Sequence, residues 1–253
     1  MPQSPLRSTR SDVAFDWPLP PARGPKVKIC CMASVAEARL AVRLGADALG
    51  LVSAMPSGPG PISDDLIAEI AAVVPPPIAT FLLTSLQDVP SIVAQQRRCR
   101  ATTLQLVDRI ERGTYEELRD ALPGVRIVQV IHVSDEASVR EACEIAPRVH
   151  ALLLDSGNPG LAVKALGGTG RTHDWTLSRR IRDEVSVPVF LAGGLSAANV
   201  GEAIRAVRPF GVDLCSGVRT GGRLDEAKLT AFFAAVRAAA EPLPAEAPRP
   251  ISS

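Results

Sequence analysis

The chain has 253 residues, 46% of them hydrophobic and 22% charged, with a formal net charge of +1. This balance excludes wholesale disorder, while the length suits a single α/β barrel, which typically takes ~250 residues. Nucleic acid is not an implied partner, since the nearest basic cluster is the short run holding Arg97, Arg98 and Arg100; nor is a membrane, since no apolar run reaches the ~18 residues of a spanning helix.

The N-terminus lacks the apolar core of a secretory signal, so a cytoplasmic protein is expected. Residues 1–25 carry Pro2, Pro5, Pro18, Pro20, Pro21 and Pro25 among charges and read as a disordered tail. The Pro-rich residues 241–253 read the same way, leaving one domain over residues 26–240. Within it, a short β-branched run alternates with an amphipathic segment at helical spacing. Residues 27–31 precede a helical 34–45, 46–53 precede 63–74, 78–85 precede 86–99, and 102–108 precede 114–122. Residues 124–133 then precede 135–146, and 149–156 lead through a glycine turn to 174–185. The last two pairs are 187–195 with 196–207 and 211–218 with 225–240.

Eight such units call for parallel strands with right-handed crossovers, and close most naturally into a single-domain (β/α)8 TIM-type barrel. An open doubly wound sheet is disfavoured because no glycine fingerprint follows the first strand. Ser34 with Glu37 predicts a capping box on the first helix, Ser63 or Asp64 caps the second, and Gly45 stops the first. The five cysteines, 30, 31, 99, 143 and 215, show no C-x-x-C spacing, so neither a disulfide framework nor a metal site is expected.

In a barrel of this kind the reactive groups gather at the C-terminal strand ends. Those ends offer Cys30 or Cys31, then Ser53, then Gln105 and Asp108 on the fourth strand, and His132 on the fifth. Asp155 closes the sixth, Gly193 and Gly194 the seventh, and Ser216 and Gly217 the eighth. An acid ending an apolar strand inside a barrel is a candidate active-site group, though Asp155 could instead cap its own loop. Glycines at 167, 168 and 170, at 193 and 194, and at 217 let backbone N–H groups approach an anion closely. Three such turns on consecutive units favour a phosphorylated small molecule, because the loops after strands seven and eight are the usual phosphate site.

Lys-Ile-Cys at 28–30, ADALGLV at 46–52, LLLDS at 152–156, GGTGRTHDW at 167–175, PVFLAGGLSAANV at 188–200 and RPFGVDLCSGV at 208–218 together resemble the phosphoribosylanthranilate isomerase family of tryptophan synthesis. The resemblance spans about residues 27–239 and is most specific in the sixth and seventh units. It implies a (β/α)8 barrel without metal or organic cofactor, acting as a monomer or homodimer. The implied reaction is an Amadori rearrangement of an aminoaldose to an aminoketose. It implies Cys30 as general base and Asp155 as general acid, with Gly168, Gly193, Gly194, Ser216 and Gly217 holding the substrate phosphate. Cys31 is then the outward-packing neighbour, Cys99, Cys143 and Cys215 are structural, and His132 and His150 are structural or exposed.

The chain departs from the family pattern at four places. Cys31 stands where glycine usually follows Lys-Ile-Cys, and the loop after the second strand reads MPSGPGPIS without the usual arginine. QLVD replaces Gln-Leu-His-Gly at the fourth strand, and Arg219 replaces an acid at the eighth. Arg219, Arg171 or Arg109 are the candidates to recover a carboxylate contact. Two readings therefore stand: an isomerase of this family, or a diverged paralogue that acts on another phosphorylated aminosugar or binds a phosphate ligand without catalysis.

Overall fold

The computed structural model describes residues 24–156 and 174–240; the two tails, apart from residues 24 and 25, and the glycine turn at 167–170 lie outside them. Strands β1 (Lys26–Ile29), β2 (Ala48–Val52), β3 (Ala79–Thr84), β4 (Thr103–Leu106), β5 (Arg126–His132), β6 (Ala151–Asp155), β7 (Val189–Leu191) and β8 (Gly211–Leu214) pair in parallel in sequence order. β1 also pairs with β8, from Lys26↔Gly211 to Ile29↔Leu214, which closes the barrel. Helices α1 (Val35–Leu44), α2 (Asp64–Val73), α3 (Val89–Cys99), α4 (Tyr115–Ala121), α5 (Glu136–Ile145), α6 (Trp175–Glu184), α7 (Val200–Val207) and α8 (Glu226–Ala240) follow the strands in turn. The eight units expected from the sequence are all present, as a (β/α)8 barrel.

Alternation along each strand divides the core in two. Ile29, Leu49, Leu51, Leu82, Leu104, Ile131, Leu154 and Val212 face the helices and form the larger cluster. Cys30, Val52, Phe81, Leu83, Val128, Val130, Leu153 and Phe190 fill the barrel interior. Low in that interior Phe190 meets Phe81 and Phe210 edge to face, with ring centroids 5.9 and 5.4 Å apart, so an aromatic plug occupies the N-terminal half. Reactive groups are thereby confined to the C-terminal mouth. Among the described residues, no helix is long and apolar enough to cross a membrane.

Several helix boundaries follow from the cap residues read in the sequence. Ser63 caps α2 by accepting from Leu66 N–H at 3.2 Å, and Gly45 ends α1 with φ 115°. Ser34 accepts from Glu37 N–H at 3.2 Å, but Glu37 does not return the bond to Ser34; its carboxylate takes Ala33 N–H at 3.1 Å and Arg219 instead. The seventh helix starts at Val200 rather than at residue 196, because Asn199 ties the preceding turn. Its side chain accepts from Ser196 N–H at 2.8 Å and donates to Gly194 O at 2.9 Å. Unforeseen after β8 are a 3-10 turn, Ser216–Val218, and a short antiparallel hairpin, β9 (Arg219–Thr220) with β10 (Arg223–Leu224).

Candidate active site

At the C-terminal mouth lies a cavity whose empty space, open solvent included, is about 720 Å³. Cys30 and Asp155, from β1 and β6, both line it. So do Gln105, Gly193, Gly194 and Ser216. Strand closure explains the convergence: Cys30 follows the last residue of β1, with its N–H on Leu214 O at 2.8 Å, and Asp155 is the last residue of β6.

Asp155 is 8% exposed and its Oδ1 accepts from Ser156 N–H at 2.7 Å. Burial pushes its carboxyl above the ordinary range, against the Ser156 bond and the neighbouring His132; Asp213 pushes the same way as burial, and Lys28 opposes it. A carboxyl so placed keeps its proton to higher pH than a solvated one does. Cys30 is 6% exposed and packs against Gly50 of β2, where an added Cβ would stand 2.5 Å from Cys30 Sγ and 3.1 Å from Lys28 Nζ. The missing side chain at Gly50 is what gives both groups room.

Below them Lys28, with no exposed surface, forms an ion pair with Asp213, Nζ to Oδ2 2.9 Å. Burial pulls the Lys28 ammonium down, but the Asp213 carboxylate outweighs it and holds the group charged. Nζ also lies 5.2 Å from the Phe81 ring centroid. Asp213 lines the cavity, and its Oδ1 has no hydrogen-bond partner among the described residues. Neither residue was assigned a role from the sequence, where Lys28 appears only within Lys-Ile-Cys and Asp213 only within RPFGVDLCSGV.

On the rim, Gly193 and Gly194 have φ of 84° and 62°, a region that L side chains rarely adopt. A Cβ on Gly193 would stand 2.8 Å from Ser156 Oγ, so the loops after β6 and β7 touch through bare backbone. Ser216 opens the 3-10 turn after β8. Gly217 is not among the lining residues; a Cβ there would meet Leu195 O at 2.1 Å, so it keeps the seventh and eighth loops together. Gly168 lies outside the described residues.

Cys31 corrects the expectation that it packs outward. Its φ is 66°, which breaks the strand alternation and turns the side chain back into the cavity wall. Cys215, expected to be structural, lines the cavity too. Ser53, by contrast, is fully buried and donates to Leu83 O at 2.7 Å, and His150 Nδ1 accepts from Ile127 N–H at 2.9 Å; both hold the framework. Of the three candidate arginines, Arg109 pairs with Glu141 at 2.9 Å and Arg219 with Glu37 at 2.9 Å, while Arg171 lies outside the described residues. Among the described residues that line the cavity there is no arginine or lysine; Ser57, Gly58 and Pro59 of the loop after β2 are on its wall.

A family model described as N-(5'phosphoribosyl)anthranilate (PRA) isomerase matches residues 27–235. An N-(5'-phosphoribosyl)anthranilate isomerase of Methanocella arvoryzae is 35% identical to this chain over 208 residues, 82% of the chain and 95% of that protein. The crystal structure of phosphoribosyl anthranilate isomerase from Thermotoga maritima superposes with a TM-score of 0.71 at 28% identity, covering 85% of this chain and 99% of that one. A phosphoribosyl anthranilate isomerase solved in complex with reduced 1-(o-carboxyphenylamino)-1-deoxyribulose 5-phosphate superposes with a TM-score of 0.69 at 26% identity, covering 85% and 99%.

Proposed function

The chain belongs to the N-(5'-phosphoribosyl)anthranilate isomerase family, and from that premise we propose that Asp155 and Cys30 carry out the family's reaction as general acid and general base. The reaction converts N-(5-phosphoribosyl)anthranilate to 1-(o-carboxyphenylamino)-1-deoxyribulose 5-phosphate in tryptophan biosynthesis. Asp155 protonates the ribose ring oxygen, the bond from that oxygen to C1′ breaks, and the furanose opens to an imine. Cys30, as thiolate, removes the proton from C2′, and the enolamine so formed tautomerises to the aminoketose.

The observation that carries this reading is the placement of a buried carboxyl, Asp155, and a thiol, Cys30, on the wall of one cavity. Gly193, Gly194 and Ser216 supply the phosphate end with Gly168, while Gly217 lets the eighth loop close against the seventh. The same reading places the enzyme in the cytoplasm, acting on a phosphorylated small molecule as a monomer or homodimer.

Steady-state conversion of phosphoribosylanthranilate by purified protein tests it. Cys30→Ser and Asp155→Asn are each expected to lower kcat by ~10²–10⁴-fold with KM little changed. A parent protein no faster than these variants, or unable to rescue an isomerase-deficient strain that requires tryptophan, rejects the assignment.

A further inference from the structure

Cys31 and Cys215 meet in the cavity wall, one from the loop after β1 and the other from the end of β8. The register of those strands runs to Ile29↔Leu214, and Cys30 N–H continues it onto Leu214 O at 2.8 Å, so the segments holding the two cysteines leave the sheet side by side. That register sets Cys215 across from Cys30, and Cys31 stands one position further along. The positive φ of Cys31 turns its side chain into the wall that Cys215 also lines, which brings the two thiols within electrostatic reach of one another. Both cysteines are free.

Their surroundings give the two sulfurs different characters. The Cys31 thiol holds the Cys215 thiol below its usual range; burial opposes this and the Arg219 guanidinium reinforces it. Cys31 is pushed up by Cys215, by Cys30 and by burial, and keeps its proton. Arg219 is fixed in place, bidentate on Glu37 at 2.9 and 3.2 Å, and it also donates to the Cys31 carbonyl.

We propose that Cys31 and Cys215 are a peroxide-sensitive thiol pair, which closes to a disulfide across the cavity wall and stops the isomerase. The Cys215 thiolate attacks one oxygen of the peroxide; the O–O bond breaks, hydroxide leaves and is protonated to water, and Cys215 becomes a sulfenic acid. Cys31 then gives up its proton and attacks the Cys215 sulfur, so that the S–S bond forms, the S–O bond breaks and a second water leaves. The two thiols lose two electrons and the peroxide gains them; an added thiol reverses the change. The new bond pins the residue beside Cys30 to the residue before Ser216, between the proposed base and the phosphate rim. Loss of activity as a readout rests on the isomerase reading; the cross-link itself does not.

The test treats the reduced full-length protein with hydrogen peroxide, blocks remaining thiols with an alkylating agent, and maps the cysteines by peptide mass. The expected result is a Cys31–Cys215 peptide pair lacking two hydrogens, with activity lost in step and restored by dithiothreitol. Cys215→Ser and Cys215→Ala should each abolish the cross-link and retain a larger share of their own reduced activity after peroxide. Alkylatable Cys31 and Cys215 after inactivation, or a cross-link through Cys30, overturns the proposal, as does a full cross-link with activity unchanged. A cross-link in a reduced protein that never turned over phosphoribosylanthranilate supports the pair and rejects the isomerase reading.

Discussion

Lys28 Nζ stands 2.9 Å from Asp213 Oδ2 inside the barrel, with the lysine wholly buried and the aspartate 6% exposed. The pair joins β1 to β8 at the strand junction that closes the barrel, where these residues are in register. Lys28→Met removes one charge and strands the other, which typically costs ~3–5 kcal/mol. Lys28→Met with Asp213→Asn should recover much of that loss, and chemical denaturation of the three proteins checks it. Because the folded-state pKa of Lys28 is raised, its contribution is complete below the ordinary lysine value and fades only as pH climbs through the raised one.

Asp155 acts as an acid only while protonated. Burial raises its folded-state pKa, so the acid persists to higher pH than a solvated carboxyl would, and kcat should fall on the alkaline side as the carboxyl ionises. In the unfolded chain the same group ionises near 3.8, so above that pH its ionisation favours unfolding. Asp155→Asn should therefore be nearly inactive yet melt at a higher temperature than the parent, with the gain growing from acid to neutral pH. Calorimetry across that range measures it.

Glu37 gathers four donors: both Nη atoms of Arg219, Leu224 N–H at 3.0 Å and Ala33 N–H at 3.1 Å. Burial pushes its carboxyl up, but these bonds outweigh burial and hold it below the ordinary value. The stabilisation is present above the unfolded value, about 4.5, and is lost as pH falls through the folded one. Glu37→Ala should cost ~2 kcal/mol or more at neutral pH and flatten the acid limb of the stability profile.

Gly60 lies against Cys31. A Cβ at Gly60 would stand 2.6 Å from Cys31 Cβ, at a φ of 78°. Gly60→Ala should destabilise by ~2–3 kcal/mol, combining left-handed strain with the clash. Cys31→Gly in the same chain should relieve the clash and leave the strain. A double-mutant cycle from urea melts gives the coupling directly.

The eight units were legible because β-branched runs and helical spacing are local properties, and each cap residue leaves its mark within three or four positions. The position of Asp155 and the rim glycines at the mouth was legible for a related reason: they stand where strand ends must converge once the barrel closes, whereas the strand pattern left Cys30 and Cys31 both open and only the family resemblance pointed to Cys30. The role of Lys28 was not legible, because only closure of the sheet puts it next to Asp213. The turn of Cys31 into the wall was hidden too, since alternation sends it outward and only its left-handed backbone, covered by Gly60, brings it back. The β9–β10 hairpin depends on Glu37 receiving Arg219 and Leu224, a contact spanning most of the chain.

The edge-to-face rings of Phe81, Phe190 and Phe210 have a kinetic corollary. With the far end stoppered, the aminoketose must retreat through the doorway by which its precursor came in. Both then contend for the same vacant mouth, which makes product a competitive inhibitor.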